Sequence, residues 1–292
     1  MMGAPGLAAQ AVAMAARVRV SAGIAANVPL CIYDLIDRWF GEEVDLRFQP
    51  LPSLEGMYSR QRDSTGIIVV SSDRPGGRRR YTCAHELGHH LFKHQVSVDE
   101  LVEEKRDHRS NPREFLVDLF AGYLLMPKLA ILRAARERGI DLTRPTAEDI
   151  YRLASYFGVG YNTLLTHASR SIRVLDEADA DRLARRTPQS IREKLLGYET
   201  SRDLVLADTA WGPSRPVDAV VGDHVVLPRG AVVERALLKR VGSVLAGDLY
   251  EATTPGIARA ELDGTWSAFI RVECYRYKGM VMFRNLEESD EE

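Results

Sequence analysis

The chain has 292 residues, 45% of them hydrophobic and 27% charged, with a formal net charge of -2. That composition fits an ordinary globular protein and excludes a disordered chain or a strongly basic nucleic-acid coat, and the length points to two or three folded units. Cys31, Cys83 and Cys274 lie far apart, without the paired spacing of a zinc ribbon or a redox motif, which fits a reducing cytoplasm.

The alanine-rich start, residues 6–26, has no basic n-region, and Arg17 and Arg19 interrupt its apolar run. It reads as an amphipathic helix rather than a secretory signal. No stretch approaches the ~20 uninterrupted apolar residues of a membrane helix, so no membrane association is expected. Residues 29–40 carry apolar side chains at helical spacing, and Gly41 follows where a cap is wanted. From 44 to 72 the pattern is of short extended runs broken by Pro50, Pro52, Gly56 and Gly66, with Gly66–Ser71 the clearest strand. Residues 73–80, with three consecutive arginines, read as a solvated basic turn.

Helical spacing returns over 81–94 and 112–125, where Pro127 ends it, and then over 130–138, 146–157 and 161–169, with charged helical residues to about 199. Beyond Arg202 the chain becomes valine-rich, in runs separated by glycine and proline. The expected fold class is α+β. Three parts are expected: 1–130, a metal-site domain with a small sheet; 131–200, a helical unit; and 201–292, a strand-rich domain with no chemistry-bearing motif.

The chemistry concentrates in His85-Glu86-Leu87-Gly88-His89. Residues four apart share a helix face, so both imidazoles address one ion while Glu86 stands beside it as general base. Zn2+ is the expected cofactor, with Mn2+ or another divalent ion as the alternative. Apolar Leu87, Leu91 and Phe92 mark the helix as buried, and Gly88 in its interior signals the close approach of another element. A catalytic zinc needs a third protein ligand. Phe92 and Gln95 stand where a metzincin has Gly and His, which excludes that class. Glu114 on the next helix is the natural third ligand, with Asp118 one turn on to accept a ligand imidazole N–H; Glu100, Glu103 and Glu104 are the alternatives. Tyr58, Tyr123 and His90 are the candidates for stabilising an oxyanion.

Two blocks, residues 80–89 (RYTCAHELGH) and 114–127 (EFLVDLFAGYLLMP), resemble the ImmA/IrrE family of zinc peptidases, with Leu116 and Val117 departing from the usual residues. The resemblance covers residues 29–169. It implies a metalloendopeptidase acting on a protein substrate, a helix-turn-helix repressor-type transcription regulator, in a stress response or a mobile element. Gly66, Ile67, Ile68, Val69 and Val70, taken as an edge strand, are expected to bind the substrate backbone by β-augmentation. Residues 148–169 have the helix, Gly158 turn and second helix of a helix-turn-helix. The second helix offers few groups to DNA, so DNA binding stays open. Two other readings remain: a non-proteolytic DNA- or protein-binding regulator on a peptidase fold, and the peptidase of a toxin–antitoxin pair. Intact Glu86 disfavours the first of these.

Overall fold

The computed structural model describes residues 3–61, 64–94, 96–100, 111–213 and 215–286. Helix α1 (Ala4–Ser21) buries Leu7, Ala11, Ala15 and Val18, a stripe at spacings of four and three. The small side chains let it lie close on the helix that carries Glu114. Arg19 is buried with them, and its guanidinium donates to the Leu124 carbonyl at 2.6 Å and to the carbonyls of Ala25 and Val28. The charge that breaks the apolar run thus closes the core by satisfying backbone acceptors.

Helix α2 (Ile32–Phe40) leads into β1 (Val44–Gln49), β2 (Leu54–Ser59) and β3 (Gly66–Ser71). Helix α3 (Gly76–Leu91) carries both histidines, and β4 (Val96–Glu100) follows it. Strand β3 pairs in parallel with β1 and antiparallel with β2, and β4 lies outside β2. The expectation that residues 66–70 form an edge strand is therefore corrected. Both sides of β3 are engaged by neighbouring strands, so its backbone has no row of groups left for a substrate. Among the described residues β4 is bonded on one side only.

The three arginines are also placed differently from expectation. They belong to the first turns of α3, which begins at Gly76 rather than at 81. Arg78 pairs with Glu55 at 2.8 Å, Arg79 is buried against Glu273, and Arg80 lies 3.7 Å from Asp218. Two of these partners come from the last third of the chain.

Helices α4 (Pro112–Leu125) and α5 (Lys128–Glu137) form together a stretch long and apolar enough to cross a membrane by length and composition. Many of its apolar residues are core residues: Val117, Phe120, Ala121, Leu124, Leu125, Ala130 and Ile131 are buried, while Leu129 and Leu132 are exposed. Helix α5 spans the 130/131 boundary expected from sequence, and one buried apolar cluster runs from Leu7 through Leu206. Helix α6 (Ala147–Phe157) starts with a capping box between Thr146 and Asp149 and stops at Gly158, whose φ of 65° lies in the left-handed region. Helix α7 (Tyr161–Thr166), a π-helical turn (His167–Ser171), α8 (Glu177–Ala184) and α9 (Pro188–Leu196) complete the helical part.

The C-terminal part holds β5 (Leu204–Leu206), β6 (Val217–Val220), β7 (His224–Leu227), β8 (Val232–Val233), β9 (Leu238–Val244), β10 (Gly247–Ala252), β11 (Gly256–Leu262) and β12 (Trp266–Glu273). They form two four-stranded sheets, β5-β7-β10-β9 and β6-β12-β11-β8, around a second core containing Trp211, Val225, Tyr250 and Ile270. The chain then returns: β13 (Gly279–Met280) pairs antiparallel with β1, and Val281 enters the first core. This part is therefore tied to the first by backbone pairing as well as by ion pairs.

Arg79 and Glu273 are 4% and 7% exposed, so removing one member leaves the other charge buried without its counter-ion. Arg79→Met is expected to lower stability by about 3–5 kcal/mol, and the double variant with Glu273→Leu to recover much of that loss. Denaturant midpoints check it; an unchanged midpoint for Arg79→Met would show that this pair does not hold the two parts together.

Candidate metal centre

Helix α3 is seated against the sheet on one side and against α4 on the other, and glycine makes both approaches close. A Cβ on Gly56 of β2 would meet Thr82 Cγ2 at 2.6 Å and Glu86 Cγ at 3.5 Å. A Cβ on Gly88 would lie 3.0 Å from both Phe120 and Val117 of α4. The element that Gly88 admits is thus the helix carrying Glu114 and Asp118.

That seating brings His85, His89 and Glu114 together, with one ligand atom from each lying within 4.8 Å of the others. His85 Nε2 is 3.0 Å from Glu114 Oε2 and 3.1 Å from His89 Nε2, and His89 Nε2 is 3.5 Å from Glu114 Oε1. Four donors at zinc bond lengths of about 2.0–2.1 Å in a tetrahedron stand roughly 3.3 Å apart, so these separations are those of three corners around one ion. Two imidazole nitrogens and a carboxylate oxygen form a donor set suited to zinc and its neighbours in the transition series.

The outer partners fix the ring orientations. His85 Nδ1 donates to Asp118 Oδ1 at 2.8 Å, as expected from sequence, which leaves Nε2 with its lone pair toward the ion position. His89 Nδ1 lies 2.8 Å from His94 Nδ1. Burial, with the neighbouring His89 and Arg113, pushes His94 down to about 4, so at neutral pH it is an uncharged acceptor for the His89 N–H. Burial alone would lower His85, but the hydrogen bonds to Asp118 and Glu114 hold it well above its ordinary value. Glu114 is likewise held well below the carboxylate range, against burial, by its hydrogen bonds to His85 and His89. Both shifts describe a pocket built to face a positive charge.

Sequence reasoning missed His94 as an orienting partner. Its position depends on how α3 ends: Phe92 closes the helix, Lys93 adopts φ 59°, and the His94 N–H donates to the His89 carbonyl at 2.9 Å. This six-to-one bond turns the chain back over its own last turn. A glycine at position 93 would have signalled the turn; lysine hides it.

Glu86 is fully buried on α3, and its carboxylate is near enough to His85 to favour that ring's charged form. His90 faces elsewhere: Nδ1 meets the Tyr58 hydroxyl at 3.1 Å and Nε2 meets Glu43 at 3.3 Å. The Tyr123 hydroxyl donates to the Ser171 carbonyl at 3.1 Å. All three oxyanion candidates therefore have other bonds. Of the alternative third ligands, Glu103 and Glu104 lie outside the described residues.

Residues 42–169 match the model of the M78 peptidase family, the IrrE N-terminal-like domain. Over these residues the chain is similar to the IrrE N-terminal-like domain. The radiation response metalloprotease IrrE of Deinococcus radiodurans is 28% identical over 127 residues, which is 42% of this chain and 35% of that protein. The chain thus spans about a third of that relative's length. A solved structure, a Mycobacterium tuberculosis transcriptional regulator, aligns with a TM-score of 0.36 and 20% identity over 55% of this chain and 46% of that one. Similarity to a metallopeptidase domain points to a divalent metal, and the His85, His89 and Glu114 group fits one.

Asp118→Ala and His94→Ala each remove the acceptor for a ligand ring and are expected to weaken metal binding about 10–100-fold. His90→Ala, which touches neither ring, should leave the affinity unchanged. Competition with a chelating dye checks this; equal loss in all three variants would mean that the rings are not oriented by these contacts.

Proposed function

We propose that the protein is a zinc-dependent endopeptidase that cleaves a protein substrate, a helix-turn-helix repressor-type transcription regulator, in the cytoplasm. The observation that carries the enzymatic part is the tetrahedral-edge spacing of the His85, His89 and Glu114 donors, with Glu86 next to His85 on the same helix. A divalent ion bound there supplies Lewis acidity toward a peptide carbonyl and toward water. Glu86 takes the proton of the attacking water and returns it to the leaving nitrogen. Its burial keeps bulk water from competing for that proton and strengthens its electrostatic hold on the reacting groups. Asp118 and His94 keep the two ligand rings from rotating during the cycle.

The identity of the substrate rests on the similarity to the IrrE N-terminal-like domain and on the Deinococcus relative being a radiation response metalloprotease. An endopeptidase needs to hold an extended backbone. The outer side of β4 offers the unpaired row that β3 lacks among the described residues, and it follows directly after the metal-site helix.

Glu86→Gln is expected to lower cleavage about 10²–10⁴-fold without loss of bound metal. The measurement is cleavage of a helix-turn-helix repressor from the same genome, by wild type and variant loaded with Zn2+ and again after chelation. Equal activity in wild type and Glu86→Gln, or full activity after the metal is stripped, sinks the peptidase reading.

A further inference from the structure

A cleft of about 940 Å³ in the described structure does not lie over the metal ligands. It opens where the first turn of α3, the turn between α6 and α7, and the strands of the C-terminal part meet, and it reaches Asp118 at one end. Its wall carries six arginines, Arg78, Arg79, Arg80, Arg170, Arg192 and Arg215, and six carboxylates, which are unevenly paired.

Most of the junction is paired. Arg79 is matched by Glu273. Arg271 binds both oxygens of Asp218, at 2.6 and 3.0 Å, and also Asp34 at 2.7 Å, while Arg284 stands 3.8 Å from Asp34. On the far wall Arg192 faces Asp203 at 3.5 Å, and Asp203 also accepts the Gly76 N–H. Two guanidinium groups are left over. Among the described residues the ion pairing of Arg80 is the 3.7 Å contact to an Asp218 already engaged by Arg271. Arg215 forms no ion pair among the described residues; it reaches the Leu30 carbonyl at 3.4 Å and lies over the rings of Trp211 and Tyr156.

These two groups converge. Arg215 Nη2 and Arg80 Nε lie 3.0 and 3.5 Å from the point where a Cβ on Gly158 would stand. Burial and the charge of Arg80 push Arg215 down to about 10, as expected of like charges brought together away from water. Convergent guanidinium forks that the fold does not neutralise are an oxyanion site.

We infer that Arg80 and Arg215 form a binding site for the phosphate group of a small molecule that occupies this cleft. A phosphate monoester carries close to two negative charges and three acceptor oxygens, matching two surplus guanidinium groups better than a single carboxylate does. The cleft is far larger than one phosphate, and Trp211, Val159 and Tyr151 line the space beyond it for the rest of the ligand. Arg80 precedes His85 by five residues on one rigid helix, about 7.5 Å along its axis, so the site is built on the element that holds the metal ligands.

The test uses the metal-loaded full chain titrated with inorganic phosphate, followed by calorimetry and by tryptophan emission, since Trp211 stacks on Arg215. Saturable binding is expected in wild type, weakened about tenfold or more in Arg80→Gln and in Arg215→Gln, because each loses a charged hydrogen-bond donor. Arg215→Lys, which keeps the charge but loses the fork, serves if Arg215→Gln does not fold and is expected to weaken binding as well. Acetate at equal ionic strength should bind more weakly than phosphate. The inference is overturned by no saturable binding, by equal binding in wild type and variants, which would place the phosphate at the metal centre instead, or by acetate binding as tightly as phosphate.

Discussion

The structure depends on how one helix is seated. Helix α3 is in contact with the sheet, with α4, with α2 and, through its arginines, with the C-terminal part. Glycine governs that seating at three points: Gly56 under Thr82 and Glu86, Gly88 against Phe120 and Val117, and Gly77, where a Cβ would lie 2.7 Å from the Val159 carbonyl carbon. Side chains at any of these would push the helix away, and a shift of a few tenths of an ångström would open the 3.0 and 3.1 Å spacings among the metal ligands. The metal centre is therefore a consequence of backbone packing as much as of ligand identity.

The same helix has two chemically different ends. Its C-terminal half carries neutral-to-acidic partners around a cation position, with His85, Glu86, His89 and, through the reversed chain, His94. Its N-terminal turns carry Arg78, Arg79 and Arg80, each facing a different element. Basic residues in the first turn oppose the helix dipole, which favours acids there. Their placement is understandable only through their partners: Glu55 on β2, Glu273 on β12 and Asp218 on β6. The C-terminal part is thus joined to the helix of the candidate metal site itself, and by β13 to the sheet beneath it.

Much of the candidate site was legible in the sequence because its geometry is local. Four-residue spacing on a helix puts His85 and His89 on one face whatever the surroundings, and the spacing of Glu114 and Asp118 does the same for the two carboxylates. The apolar pattern placed the helices well, apart from ends: α3 begins five residues earlier than periodicity suggests, since arginine runs look the same in a solvated turn and in a paired helix. The substrate strand was misread for a different reason. The apolar run Ile67 to Val70 marks β3 as a strand, but strand order is a long-range property: Ile67 is exposed on the outer face, and only the pairing with β1 and β2 makes the strand internal.

The sequence alone determined that this chain has a helix pair carrying a candidate metal-ligand set, an acid beside it and a strand-rich end, because helix periodicity and motif spacing need no distant partner. Only the tertiary structure decided that β3 is internal, that Arg19 closes a core, that His94 turns back on His89 and that Arg80 and Arg215 meet. Each of these depends on residues brought together across the chain, or on a backbone turn that the side chain at that position does not announce.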